Sequence, residues 1–127
     1  MQLARFNAPD APAPAGGYAQ AVRVDGASRL LFISGQIPVG ADSEVPETFQ
    51  AQAALAWKNV EAQLRAAGMS FDNLVKVTIF LSDRKYAMAN REARKAALGD
   101  RAFAMTVVIA GIFDQAWLLE IEAVAAA

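Results

Sequence analysis

At 127 residues the chain has the length of one ordinary domain spanning 1–127, able to bury about two thirds of the surface that its unfolded form exposes. Twelve basic against thirteen acidic side chains leave a net charge of -1, without the basic surplus that neutralises phosphate backbones, so nucleic acid is a disfavoured partner. Having no His and no Cys, the chain lacks an imidazole base, a thiolate nucleophile and a soft metal ligand; its chemistry rests on carboxylates, hydroxyls, amides, Lys, Arg and backbone groups.

Met1 to Arg5 lacks the apolar core of a secretory signal, and no apolar run approaches the roughly 18 residues of a membrane span. A cytoplasmic location away from membranes is expected. Pro9, Pro12, Pro14, Gly16 and Gly17 predict an ordered lead-in loop over Ala8 to Gly17. Tyr18 to Val24, the Asp25-Gly26 turn signal and Leu30 to Ile33 then predict a β-hairpin. Ser34-Gly35-Gln36-Ile37-Pro38 ends its second strand, and Gly40 to Val45 makes a surface loop.

From Glu47 the period changes, with Phe49, Ala53, Ala56, Val60, Leu64 and Ala67 recurring every three or four residues, which predicts a long amphipathic helix. Pro46 suits its entry and Gly68 the left-handed residue beyond its end. Leu74 to Leu81 alternates Val75, Val77 and Ile79 with Lys76, Thr78 and Phe80, a strand pattern. Asp83 can cap the next element, a shorter helix over Tyr86 to Leu98 closed by Gly99. Phe103 to Ala110 and Trp117 to Val124 are two further strands. The order β-β-α-β-α-β-β describes an α+β sandwich with helices on one face of a mixed sheet. The nearly continuous apolar run from Met105, like Leu118-Leu119 with Ile121, predicts strands buried on both faces, and the 55% hydrophobic content fits an oligomer that covers the open face.

Gly17 to Val22, Ile33 to Pro38, Asn59 to Gly68, Val75 to Asp83 and Leu119 to Ala123 together resemble the reactive intermediate deaminase family, RidA or YjgF-like, over residues 16 to 125. The resemblance implies a chorismate-mutase-like α+β fold, a homotrimer, and a pocket between neighbouring subunits that takes a small organic ligand. It also implies hydrolysis of enamine or imine acids to 2-keto acids and ammonia with no metal or organic cofactor. In the family an arginine clamps the substrate carboxylate, and a glutamate, matched here by Glu120, assists the attacking water.

That arginine sits in a Pro-Ala-Arg-Ser/Thr run, whereas this chain has Phe103-Ala104-Met105-Thr106. Hydrogen bonds to charged groups contribute about 1.5 to 3 kcal/mol each, so losing a bidentate clamp costs roughly two powers of ten or more in carboxylate binding unless another cation substitutes. Arg91, Arg94 and Arg101 are the candidates. Gly17, where proline is common, and Ala93, where an aromatic is common, are further departures.

Each residue also has a plainer role. Glu120 and Glu122 alternate with Leu119 and Ile121 and so can be a solvated strand face. Tyr18 can be a packing aromatic, Ser34 and Gly35 the end of a strand, Asn90 an ordinary helix residue, and Met105 a filler against Phe80 or Tyr18. The resemblance makes Tyr18, Ser34, Gly35, Phe80, Asn90 and Met105 pocket residues and Glu120 the acid-base group. Met105 points first to a divergent member with weak or no 2-imino-acid deaminase activity. The alternatives are an active deaminase with a substitute cation and a non-catalytic ligand-binding or chaperone-like protein.

Overall fold

The alternating segment Leu74–Leu81 is a strand inside the larger of two sheets in the computed structural model, which describes residues 1–127. In chain order the elements are β1 (Gln2–Phe6), β2 (Ala21–Asp25), β3 (Leu30–Gln36), α1 (Phe49–Ala66), β4 (Leu74–Leu81), α2 (Ala87–Leu98), β5 (Ala104–Ile109) and β6 (Leu119–Ala126). Short 3-10 turns at Phe71–Asn73 and Arg84–Tyr86 enter β4 and α2, the second with Asp83 accepting from the Lys85 N–H at 2.9 Å. The four-stranded sheet runs β3-β6-β4-β5, with β4 and β5 parallel and the other pairs antiparallel. Helix α1 packs on β3 and β6 and α2 packs on α1, giving the expected α+β arrangement with helices on one face of a mixed sheet.

Strand alternation decides what lies between helices and sheet. Val77, Ile79 and Leu81 of β4 pair with Ala123, Ile121 and Leu119 of β6, and all are buried with Ala53, Trp57, Val60 and Leu64 of α1. Thr48 caps α1 by accepting from the Ala51 N–H at 3.2 Å. Gly68 and Gly99, at φ 70 and 62, take the left-handed turns that end the helices, where a β-carbon would be strained.

Two expectations are corrected. The hairpin between Tyr18–Val24 and Leu30–Ile33 does not form: β2 pairs with β1, a strand that the sequence pattern does not reveal, and β3 pairs with β6. Asp25-Gly26 does turn the chain, with Gly26 at φ 69, but from one sheet to the other. Partner choice follows burial, because pairing with β6 places Ile33 in the core under α1. Nor is β5 buried on both faces. It is the sheet edge, and Thr106, Val107 and Ile109 are exposed. No helix is long and apolar enough to cross a membrane.

One buried side chain ties the start of α1 to the start of β6. Gln52 donates to the carbonyls of Pro46 and Ala116, both at 2.9 Å, and accepts from the Leu118 N–H at 2.8 Å. Gln52→Leu should therefore lower the unfolding free energy by about 3 kcal/mol, since three backbone groups lose their partner at once. Urea denaturation measures it, and a loss under about 1 kcal/mol would show that these groups find other partners.

Candidate functional site

The lead-in loop reaches the sheet through the backbone. The Ala19 N–H donates to the Phe103 carbonyl at 3.0 Å and Ala19 bridges Ala104, which sets Gly16 to Tyr18 beside the first residues of β5. The third wall is α2, where Ala87, Asn90, Arg91 and Arg94 recur at helical spacing. Together they enclose a cavity of about 250 Å³, with Tyr18, Asn90, Arg94 and Met105 among its lining residues. Three expected site residues, Tyr18, Asn90 and Met105, thus come together.

Arg94 is the unexpected member. Its residue surface is 9% exposed, yet no carboxylate lies within ion-pair distance, and its side-chain hydrogen bond is from Nη1 to the Met105 sulfur at 3.3 Å. Thioether sulfur is a weak acceptor. Burial, and secondarily the charge of Arg91, hold the Arg94 pKa below the ordinary arginine value, while Tyr18 acts in the opposite direction. Beside it the buried Asn90 Oδ1 has no hydrogen-bond partner. The cavity therefore holds a cation without an anion, which a small anion would complete, and an amide oxygen that needs a hydrogen-bond donor such as a ligand N–H.

Of the candidate replacements, Arg101 is engaged with Asp72 at 2.7 Å and with the Leu98 carbonyl at 3.0 Å, and Arg91 is exposed. Arg94 is the one whose guanidinium is buried against residue 105. Asn90 and Arg94 are one helical turn apart, a pairing visible in the sequence; that the Gly16 to Tyr18 loop closes over them was not.

The remaining expected residues lie elsewhere. Val77 is opposite Met105 and Phe80 opposite Glu120, and three residues along a strand reverse the side-chain direction, so Met105 and Glu120 project from opposite faces of the sheet. Phe80 accordingly does not pack against Met105. Glu120 lies over Gly35: a β-carbon built there would fall 1.8 Å from its Oε2, which is the close approach that glycine permits. Ser34 and Gly35 occupy a bulge, since β3 advances from Ile33 to Gln36 while β6 moves only from Ala123 to Ile121. Ser34 lines a separate depression of about 310 Å³ on the open face with Phe32, Lys76, Thr78 and Glu122. No group of three or more His, Cys, Asp or Glu side chains is placed to hold a metal ion.

A family model described as endoribonuclease L-PSP matches residues 8–127. Protein mmf2, mitochondrial, of Schizosaccharomyces pombe is 41% identical over 114 residues, 87% of this chain and 88% of that protein. A RutC family protein of Aquifex aeolicus is 43% identical over 84 residues, 65% of each chain. Among solved structures, RidA from the Antarctic bacterium Psychrobacter sp. PAMC 21119 superposes with a TM-score of 0.74 at 30% identity, covering 98% of this chain and 99% of that one. The Rid family protein YyfB of Yersinia pestis, at 23% identity, shares the fold with a TM-score of 0.85 over 100% of both chains.

A buried cation without an acid is a cost to the ligand-free fold. Replacing Arg94 with Met, which keeps the long apolar stem and removes the charge, should leave the protein at least as stable, by about 0 to 1 kcal/mol. Thermal and urea unfolding in chloride buffer check it; a loss above about 1 kcal/mol would show that the guanidinium holds the fold rather than a ligand.

Proposed function

The chain belongs to the endoribonuclease L-PSP family, alongside RutC and Rid relatives, and from that premise we propose that it binds a small organic carboxylate in a pocket completed between copies of the chain. The observation that carries this reading is the Arg94 guanidinium, buried beside Met105 without an acidic partner. It offers the carboxylate the charge-assisted bonds that Met105 cannot make, with Tyr18 and Asn90 as further walls. An active deaminase with a substitute cation is thereby favoured over an inactive member.

The copies form a homotrimer in this reading. Within one chain Glu120 and Met105 face opposite sides of the sheet, so a ligand held at Arg94 meets Glu120 only if a neighbouring chain supplies it. Exposed Leu30 and Phe32 on β3 and Val107 and Ile109 on the β5 edge provide apolar surface for that association. The reaction is addition of water to the imine carbon of a 2-imino acid: the C=N bond gives way to C=O, and nitrogen leaves as ammonia after accepting protons from the water. Glu120 takes a proton from that water and returns it to the nitrogen, with no cofactor. RNA cleavage is not favoured, because the chain has no His and a net charge of -1.

The test is release of ammonia and keto acid from freshly generated 2-iminopropionate, corrected for spontaneous hydrolysis. The unmodified protein should be active, Arg94→Gln should lower kcat/KM about a hundredfold, mainly through KM, and Glu120→Gln should lower kcat. An inactive protein that gains activity on Met105→Arg would overturn the reading, leaving a sound scaffold with another ligand. Light scattering should give three chains per particle, and a monomer at micromolar concentration would remove the shared pocket.

A further inference from the structure

The helix stripe that carries Arg94 does not end at the Tyr18 cavity. Arg91, Arg94, Lys95 and Leu98 succeed one another at the spacing of one face of α2, and beyond Arg94 they line a second cavity of about 250 Å³, closed on its other sides by Gly17 and the Gly99 to Arg101 turn. The two cavities meet at Arg91 and Arg94, which line both. Their characters differ. Tyr18, Met105 and Val107 give the first an apolar wall, while Leu98 is the single hydrophobic residue lining the second.

Charge in the second cavity is not balanced. Arg101 is engaged by Asp72, whereas Arg91, Arg94 and Lys95 have no carboxylate within ion-pair distance. Asp100 is the one acidic residue among its lining groups, and it is exposed and forms no ion pair. Like charges one turn apart on a helix repel, and Arg91 acts on Arg94 in that sense. Three cations are thus gathered on one stripe without an acid to hold them.

We propose that the ligand carries two anionic groups, a carboxylate at Arg94 in the Tyr18 cavity and a second carboxylate or phosphate-type group between Arg91 and Lys95. From Arg91 to Arg94 the helix rises about 4.5 Å, a span on the scale of a four- or five-carbon diacid. The preferred substrate is then a 2-imino diacid or its phospho-acid counterpart, with a monocarboxylic imine held by the first group alone and more weakly. This rests on the carboxylate-binding reading above for the first group and adds the second.

Calorimetric titration of the intact protein with butyrate, glutarate and 3-phosphonopropionate tests it. At least one of the two dianions should bind about tenfold or more tightly than butyrate, and whichever is tighter identifies the second group as carboxylate or phosphate-type. Lys95→Gln should erase that advantage while leaving butyrate binding within about twofold, whereas Lys58→Gln, an exposed charge on α1, should leave the advantage intact. Butyrate binding as tightly as both dianions, or an advantage that survives Lys95→Gln, overturns the second group alone. Failure of all three acids to bind overturns the carboxylate site and this inference with it.

Discussion

Side-chain alternation along β4 is the constraint on which the rest of the molecule depends. Burying Val77, Ile79 and Leu81 beneath the helices sends Lys76, Thr78 and Phe80 to the opposite face, and the register with β6 sends Glu120 and Glu122 the same way. Register with β5 places Met105 on the helix side. A one-residue slip would exchange these sets and put charged groups in the core. The separation of Met105 from Glu120 is therefore a consequence of the packing that makes the sheet stable, and a site that uses both must draw them from different chains.

Against that fixed frame, Arg94 is held in place by local geometry. Asn90, Arg94 and Leu98 are the buried residues of α2, and they share one stripe. Leu98 belongs to the core, so anchoring it turns the same stripe inward at Arg94 and brings the guanidinium to residue 105. There it meets a thioether, which fills space and accepts weakly without neutralising charge. A carboxylate at position 105 would have satisfied the cation within the chain and left nothing for a ligand.

Much of this was readable in the sequence where a signal is local and periodic. Leu74–Leu81 is a strand over the span its alternation indicates, and Gly68 and Gly99 mark the ends of both helices. Strand partners were less legible. Asp25-Gly26 is a turn in either topology, and the competition between β2 and β6 for β3 is decided by burying Ile33, an event involving residues far apart in the chain. The family pattern named Tyr18, Asn90, Met105 and Glu120 without indicating that two faces of the sheet divide them. Arg94, Arg91 and Arg101 were equivalent as letters. Asp72 engages one and the fold of the lead-in loop buries another, and neither fact has a local signature.

A cation carried by α2 has different companions from one carried by β5. On β5 the neighbours that share a face with residue 105 are at 103 and 107, and here they are Phe103, buried in the core, and Val107 on the cavity wall. On its own strand face residue 105 thus has only apolar neighbours. On α2 the neighbours are three and four residues away, at Arg91 and Asn90 on one side and at Leu98 on the other, with Lys95 adjacent on the same stripe. A cation placed there comes with further cations at one turn's distance and a continuous path between them. The surroundings of a charge in this cavity are therefore set by which element carries it: cations at one turn's distance on α2, apolar side chains on the same face of β5.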